Sequence, residues 1–351
     1  MWFVFPVFRV DHHSHVADFQ AARRGVILKR MQQKTEADPT LPVGQVFETV
    51  VVEDSGDSDD LPNYVSVRSR VKRSRAKFVP RIPTTIDDVL IEDSWSKTWK
   101  DRYFLSHQDN YWGVAVFCSD KMLKVMQLSP CLYVDGTFRT APHPYTQFLT
   151  IHGLYLGHVV PLTFCLVSGK TIGQYRQILQ HLKAAVRRVT HRRLRPRRIV
   201  LDFEQSLMTA LETELPTVRL SGCYFHFNQS LWRNLQHDGL ATYYRRDRQL
   251  QQAVRKVMAI GFLPLLLTRQ NFALLRHGRS IRRLLRRYPS LDDWLNYVER
   301  TYINPNSTFP PPMWNIFNRD MDTRTNNHLE GTEFLEIIHS IQFAKDFLTQ
   351  I

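Results

Sequence analysis

Two carboxylates stand where a chain ordinarily avoids charge. Asp135 follows Leu132, Tyr133 and Val134 in LYVDGTF, and Asp202 follows Ile199, Val200 and Leu201 in IVLDFEQ. Each apolar run has the composition of a buried strand, and a carboxylate at its end is costly unless paired, hydrogen-bonded or metal-bound. A single Asp in such a place commonly caps a following turn or helix. Two in matched contexts point further. If their strands are neighbours, both acids reach one end of a sheet, where a divalent cation between them relieves their repulsion. A second candidate group is Cys223 and His226 in GCYFHFNQ. Their spacing suits half a zinc site, but zinc takes four ligands and no second close pair is evident. The pair therefore reads as structural or active-site-shaping, with zinc ligation, or a contact from His226 to a phosphate, as the alternatives.

Placing these residues requires a sheet. The segments LYVDGTF, YTQFLTIHGLYL and HVVPLTFCLVSG are apolar and separated by turn residues, which predicts three successive strands. In TIGQYRQILQHLKAAVRRV, Tyr175, Ile178, Leu179, Leu182 and Val186 recur at helical spacing, and RRIVLDF then reads as a strand. LETELPTVRLSGCYFHF adds a helix end and another strand, and NQSLWRNLQ reads as a helix, so the core over residues 130–236 has the order βββαβαβα. Residues 237–320 show apolar positions at helical spacing, among them Val254, Val257, Met258, Leu284 and Leu285. They also carry an arginine-rich face including Arg276, Arg279, Arg282, Arg283, Arg286 and Arg287.

Ahead of the core, residues 85–129 read as a small α/β region packed on it, opening with a short helix around TTIDDVLIEDSWSKTWKD that its two tryptophans fix in place. Residues 1–84 have weak periodicity. They hold an acidic patch from Glu53 to Asp60 and a basic one from Arg68 to Lys77, the pattern of a disordered charged leader.

The whole chain has a formal net charge of +14, which favours polyanionic partners, nucleic acid first, over a basic surface kept for solubility. Arg187, Arg188, Arg192, Arg193, Arg197 and Arg198 occur without an intervening acid and are expected to contact a DNA backbone without reading bases. Four cysteines without a close Cys-Cys pair argue against a disulfide framework and fit a reducing compartment. No apolar run approaches the roughly 20 residues that span a bilayer, so no membrane partner is expected.

These motifs together resemble the Mutator-like (MULE-type) transposases. VDGTF with the later YTQFLTIHG, VPLTFCLVSGKT, IVLDFEQ, GCYFHFNQSLWRNLQ and RTNNHLEGT carry the resemblance over roughly residues 85–331. It implies an α/β fold: a ribonuclease H-like mixed sheet of five strands flanked by helices, with a mostly helical insertion before the last catalytic helix. It implies an Asp, Asp, Glu triad, which falls on Asp135, Asp202 and Glu330. That triad would hold two Mg²⁺ ions, with Mn²⁺ able to substitute, and would cleave and transfer DNA strands. The implied location is nuclear, and self-association is left open. Residues 321–351 are expected to form the Glu330 helix and a truncated C-terminus. The alternative readings are a truncated or host-retained derivative that binds DNA without catalysis, and an unrelated basic interaction protein.

Overall fold

A computed structural model describes residues 18–37, 41, 43–53, 61–75, 83–92, 96–98, 101–137 and 141–319. The chain divides into two compact units, Met1–Ile82 and Pro83–Ile351.

In the first unit, α1 (Phe19–Ala37), α2 (Val43–Glu53) and α3 (Tyr64–Arg75) bury one small core of Ile27, Met31, Val46, Val50, Val67 and Val71. Each helix contributes two apolar residues four apart, so one face per helix points inward. Here the structure departs from the disordered leader that the charge pattern predicts. One apolar pair per helix barely registers among so many charges, yet three such pairs close a core. The acidic patch beyond Glu53 lies outside the described residues.

The second unit is built on a seven-stranded sheet, with the order β1-β2-β5-β4-β3-β6-β7. Its strands are β1 (Leu105–Asp109), β2 (Val114–Phe117), β3 (Cys131–Thr137), β4 (Gln147–Tyr155), β5 (His158–Val167), β6 (Arg198–Leu201) and β7 (Arg219–Gly222). β3, β4 and β5 pair antiparallel as consecutive hairpins, while β6 and β7 continue parallel from β3. This five-strand block is the mixed sheet of a ribonuclease H-like fold. The expected count of five is corrected to seven, because β1 and β2 extend the same sheet beyond β5. Residues 83–92 run as turns and extended chain rather than the expected helix, and Trp95 and Trp99 lie outside the described residues.

Helices cover the sheet. α4 (Asp120–Leu128) joins β2 to β3, and α5 (Ile172–Thr190) crosses from β5 to β6. α5 starts at a capping box: the Thr171 side chain accepts from the Gln174 backbone, and the Gln174 side chain returns the bond to the Thr171 backbone. Its buried stripe of Tyr175, Ile178, Leu179, Leu182, Ala185 and Val186 lies at the spacing legible in the sequence. α6 (Gln205–Glu214) and α7 (Tyr224–His237) follow β6 and β7.

The residues beyond α7 are helical, as expected of the insertion. They form α8 (Ala241–Tyr244), α9 (Arg248–Met258), α10 (Leu265–Arg276), α11 (Arg279–Arg287), α12 (Ser290–Val298) and α13 (Pro311–Trp314). Aromatic side chains fix this layer onto α7. Trp294 donates from Nε1 to the Leu231 carbonyl at 2.9 Å, and Trp314 stacks on Phe227 at 4.5 Å between ring centres. Phe203, just after β6, packs edge-on against Tyr302 and Phe309. No helix among the described residues is long and apolar enough to cross a membrane.

Candidate active site

Strand direction decides which side chains meet. β3, β5, β6 and β7 all run the same way, so their C-terminal ends lie at one end of the sheet. Val134 and Leu201 are register partners across β3 and β6, and Asp135 and Asp202 are the next residues along the chain from each. Neighbouring strands lie about 4.8 Å apart, so the two acids leave the sheet side by side. Gln147, at the start of β4, reaches the same end because β4 runs antiparallel to β3. A side chain at Gly136 would bring its Cβ to 2.3 Å from the Gln147 amide nitrogen, so the residue beside Asp135 has to be glycine for Gln147 to sit there.

α7 adds a third partner. Its N-cap is the buried Cys223, and His226 in its first turn places Nε2 3.9 Å from Asp135 Oδ1, an ion-pair separation too long for a hydrogen bond. Burial pulls the His226 pKa down, but the Cys223 thiol, Asp135 and Asp202 outweigh it and leave it above the ordinary histidine value. Among the described residues there is no cluster of His, Cys, Asp and Glu of three or more that could hold a metal. Cys223 and His226 both stand at the start of α7, and no further ligand joins them in such a cluster among the described residues.

Asp202 is the strained charge. Burial, then the neighbouring Glu204 and Asp135 carboxylates, push its pKa up to about 6, while His226 and Lys170 act in the opposite direction. Glu204 is itself held by the buried Tyr175 of α5, whose hydroxyl lies 2.5 Å from Glu204 Oε1 and 2.7 Å from the Gln147 amide oxygen. A phenol has one proton and cannot donate to both. Turning the Gln147 amide satisfies all three groups: its nitrogen, otherwise without a partner, donates to the phenol oxygen while Tyr175 donates to Glu204. Burial, and then the Glu204 carboxylate, raise the Tyr175 pKa far above the normal phenol value.

The sequence marks none of Glu204, Tyr175, Gln147 and Lys170 as a site residue, and Tyr175 reads there only as part of a helix's apolar stripe. Glu204 comes nearest to being legible, two residues after Asp202 in LDFEQ. The other three give no such signal, and only the fold shows that they share one end of the sheet.

Glu330 lies outside the described residues. The arginines are placed elsewhere: Arg187 and Arg188 are exposed in the last turn of α5, and Arg192, Arg193 and Arg197 are exposed on the way into β6. Arg198 opens β6, half-buried, and donates to Ser221 Oγ at 3.2 Å. All lie at the N-terminal end of β6, the end away from the acids, and Arg198 itself is four residues or about 13 Å of strand from Asp202. The structure does not bring these arginines to the carboxylates.

Residues 131–230 match the family model of the MULE transposase domain, a span that opens on the first residue of β3 and closes within α7. This core is similar to the MULE transposase domain. No curated protein matches the chain. The match takes in Asp135 and Asp202, the Tyr175–Glu204 contact, Cys223 and His226, so the carboxylate end lies wholly within the matched residues.

Proposed function

We propose that the carboxylate end of this core carries out divalent-metal-dependent phosphoryl transfer on DNA, the strand-cutting and strand-joining chemistry of transposition. The observation that carries this reading is the placement of Asp135 and Asp202 at equivalent positions on two adjacent parallel strands. Two hard oxygen donors converge there, and Asp202 is a partly buried acid short of compensating charge, so the donor set fits a hard divalent cation. Asp135, Asp202 and, from beyond the described residues, Glu330 would hold it. Bound Mg²⁺, or Mn²⁺ in its place, would supply the Lewis acidity that activates a water or a DNA 3′-hydroxyl and offsets charge on the departing oxygen.

The chain's own residues do the rest. Tyr175 and Gln147 hold Glu204, and with it the chain that follows Asp202, from a buried position. His226 sits against Asp135 and is ready to carry a positive charge toward a phosphate. α6 and α7 both begin at this end without a side-chain cap bond from their N-cap residues, so their first backbone N–H groups favour an anion there. No side-chain nucleophile is required.

Binding of Mn²⁺, followed by calorimetry, tests the ligand set. The wild-type chain is expected to bind it, and Asp135→Asn or Asp202→Asn should weaken binding at least about tenfold. Equal affinity in all three would remove the support for this site.

A further inference from the structure

The arginines at the opposite end of the sheet remain unused by this chemistry, and their presentation is specific. From residue 193 to residue 197 the chain alternates outward arginine with inward anchor: Arg193, Arg195 and Arg197 are exposed, while Leu194 and Pro196 are buried. Backbone hydrogen bonds pin the segment. Arg197 N–H donates to the Pro130 carbonyl, Arg219 N–H donates to the Arg197 carbonyl, and Arg192 N–H donates to Thr190 Oγ1. Arg187 adds a further exposed guanidinium from the last turn of α5, and Arg219 another from the start of β7. Among the described residues, none of Arg187, Arg192, Arg193, Arg195, Arg197 and Arg219 forms an ion pair, whereas Arg276 and Arg287 in the helical layer are both paired with acids. Like charges held this close on a fixed backbone repel one another, and a polyanion relieves that repulsion.

We propose that this arginine surface, at the end of the sheet opposite the carboxylates, docks the phosphate backbone of duplex DNA. The forked guanidinium suits phosphate oxygens, and no Phe, Tyr or Trp lies in the segment from Arg187 to Arg198 as a broad platform for unstacked bases, which favours duplex over single strand. Docking and cutting are then separable functions of one domain. The surface faces away from Asp135 and Asp202 along the strand axis, so it holds DNA without touching the reacting phosphate.

The test uses the full chain in EDTA, where cleavage plays no part, so the outcome does not depend on the catalytic reading. Affinity for a duplex of random sequence is measured at several salt concentrations for wild type, a variant with Arg192, Arg193, Arg195 and Arg197 changed to Ala, and one with the same four changed to Lys. The alanine variant should bind at least about tenfold more weakly at low salt, and the slope of log affinity against log salt should fall by roughly 0.9 for each phosphate no longer neutralised. The lysine variant should retain most of the slope. Should the alanine variant fail to fold, Arg192→Ala with Arg193→Ala, both in the exposed turn, is expected to give about half the change in slope. An unchanged slope in the folded alanine variants, or a lysine variant as weak as the alanine one, overturns the proposal.

Discussion

Asp135 and Asp202 occupy equivalent positions on adjacent parallel strands, each one residue past the Val134–Leu201 register pair. The arrangement is costly in the bare protein, because two acids share a partly buried end of the sheet with Glu204. The sign of that cost is testable. Asp202 has a folded pKa raised from the ordinary aspartate value to about 6. Between those two pH values the folded chain binds more protons than the unfolded one, so this group's contribution to stability falls as pH rises and is at its worst above pH 6. Asp202→Asn should therefore melt higher than wild type in EDTA near pH 8, and the gap should close as pH falls toward 4. Thermal melts across pH check this, and a gap that is the same at every pH would contradict it.

Tyr175 is the buried strut beneath Glu204. Tyr175→Phe keeps the ring packing of α5 and removes the hydroxyl that meets both Glu204 and Gln147. Leaving those two groups unsatisfied should cost about 1–3 kcal/mol in denaturant unfolding. A cost below about 0.5 kcal/mol would mean that water replaces the phenol without penalty.

Much of this site is legible in the order of the residues. An apolar run ending in Asp, twice, predicts strand ends that meet, and the parallel pairing of β3 with β6 is the geometry that lets them do so. The helical period of α5 and the helical character of the layer beyond α7 are equally plain. Other features are hidden for physical reasons. β1 and β2 are short strands, and β1 has no buried face, so no alternation marks it. The helices of the first unit bury only two residues each in their shared core. The run from Arg187 to Arg198 reads in sequence as one DNA-contacting set, but residue order does not reveal that α5 carries the chain to the end of the sheet away from the acids.

Trp314 ties the helical layer to α7, which carries His226. Its ring stacks on Phe227, and its Nε1 donates to the carbonyls of Tyr302 and Phe309, all without solvent exposure of the tryptophan. Trp314→Ala should cost about 3–5 kcal/mol through the cavity it leaves. Hydrogen exchange should rise in α7 and around Phe309 before it rises in β3 or β6. Uniform loosening of the sheet and the helical layer together would show that the aromatic stack is not the local tie described here.

The most direct measurement is nicking of supercoiled plasmid by the purified full chain, with and without Mg²⁺ or Mn²⁺. Wild type should convert supercoiled to open-circular DNA only with the divalent ion. Asp135→Asn and Asp202→Asn should each slow the reaction at least about a hundredfold while still binding DNA, since each removes a charge needed to hold the ion. A folded, DNA-binding wild-type chain that does not nick with either ion, or aspartate variants that nick as fast as wild type, would contradict the assignment of this end of the sheet as the catalytic centre.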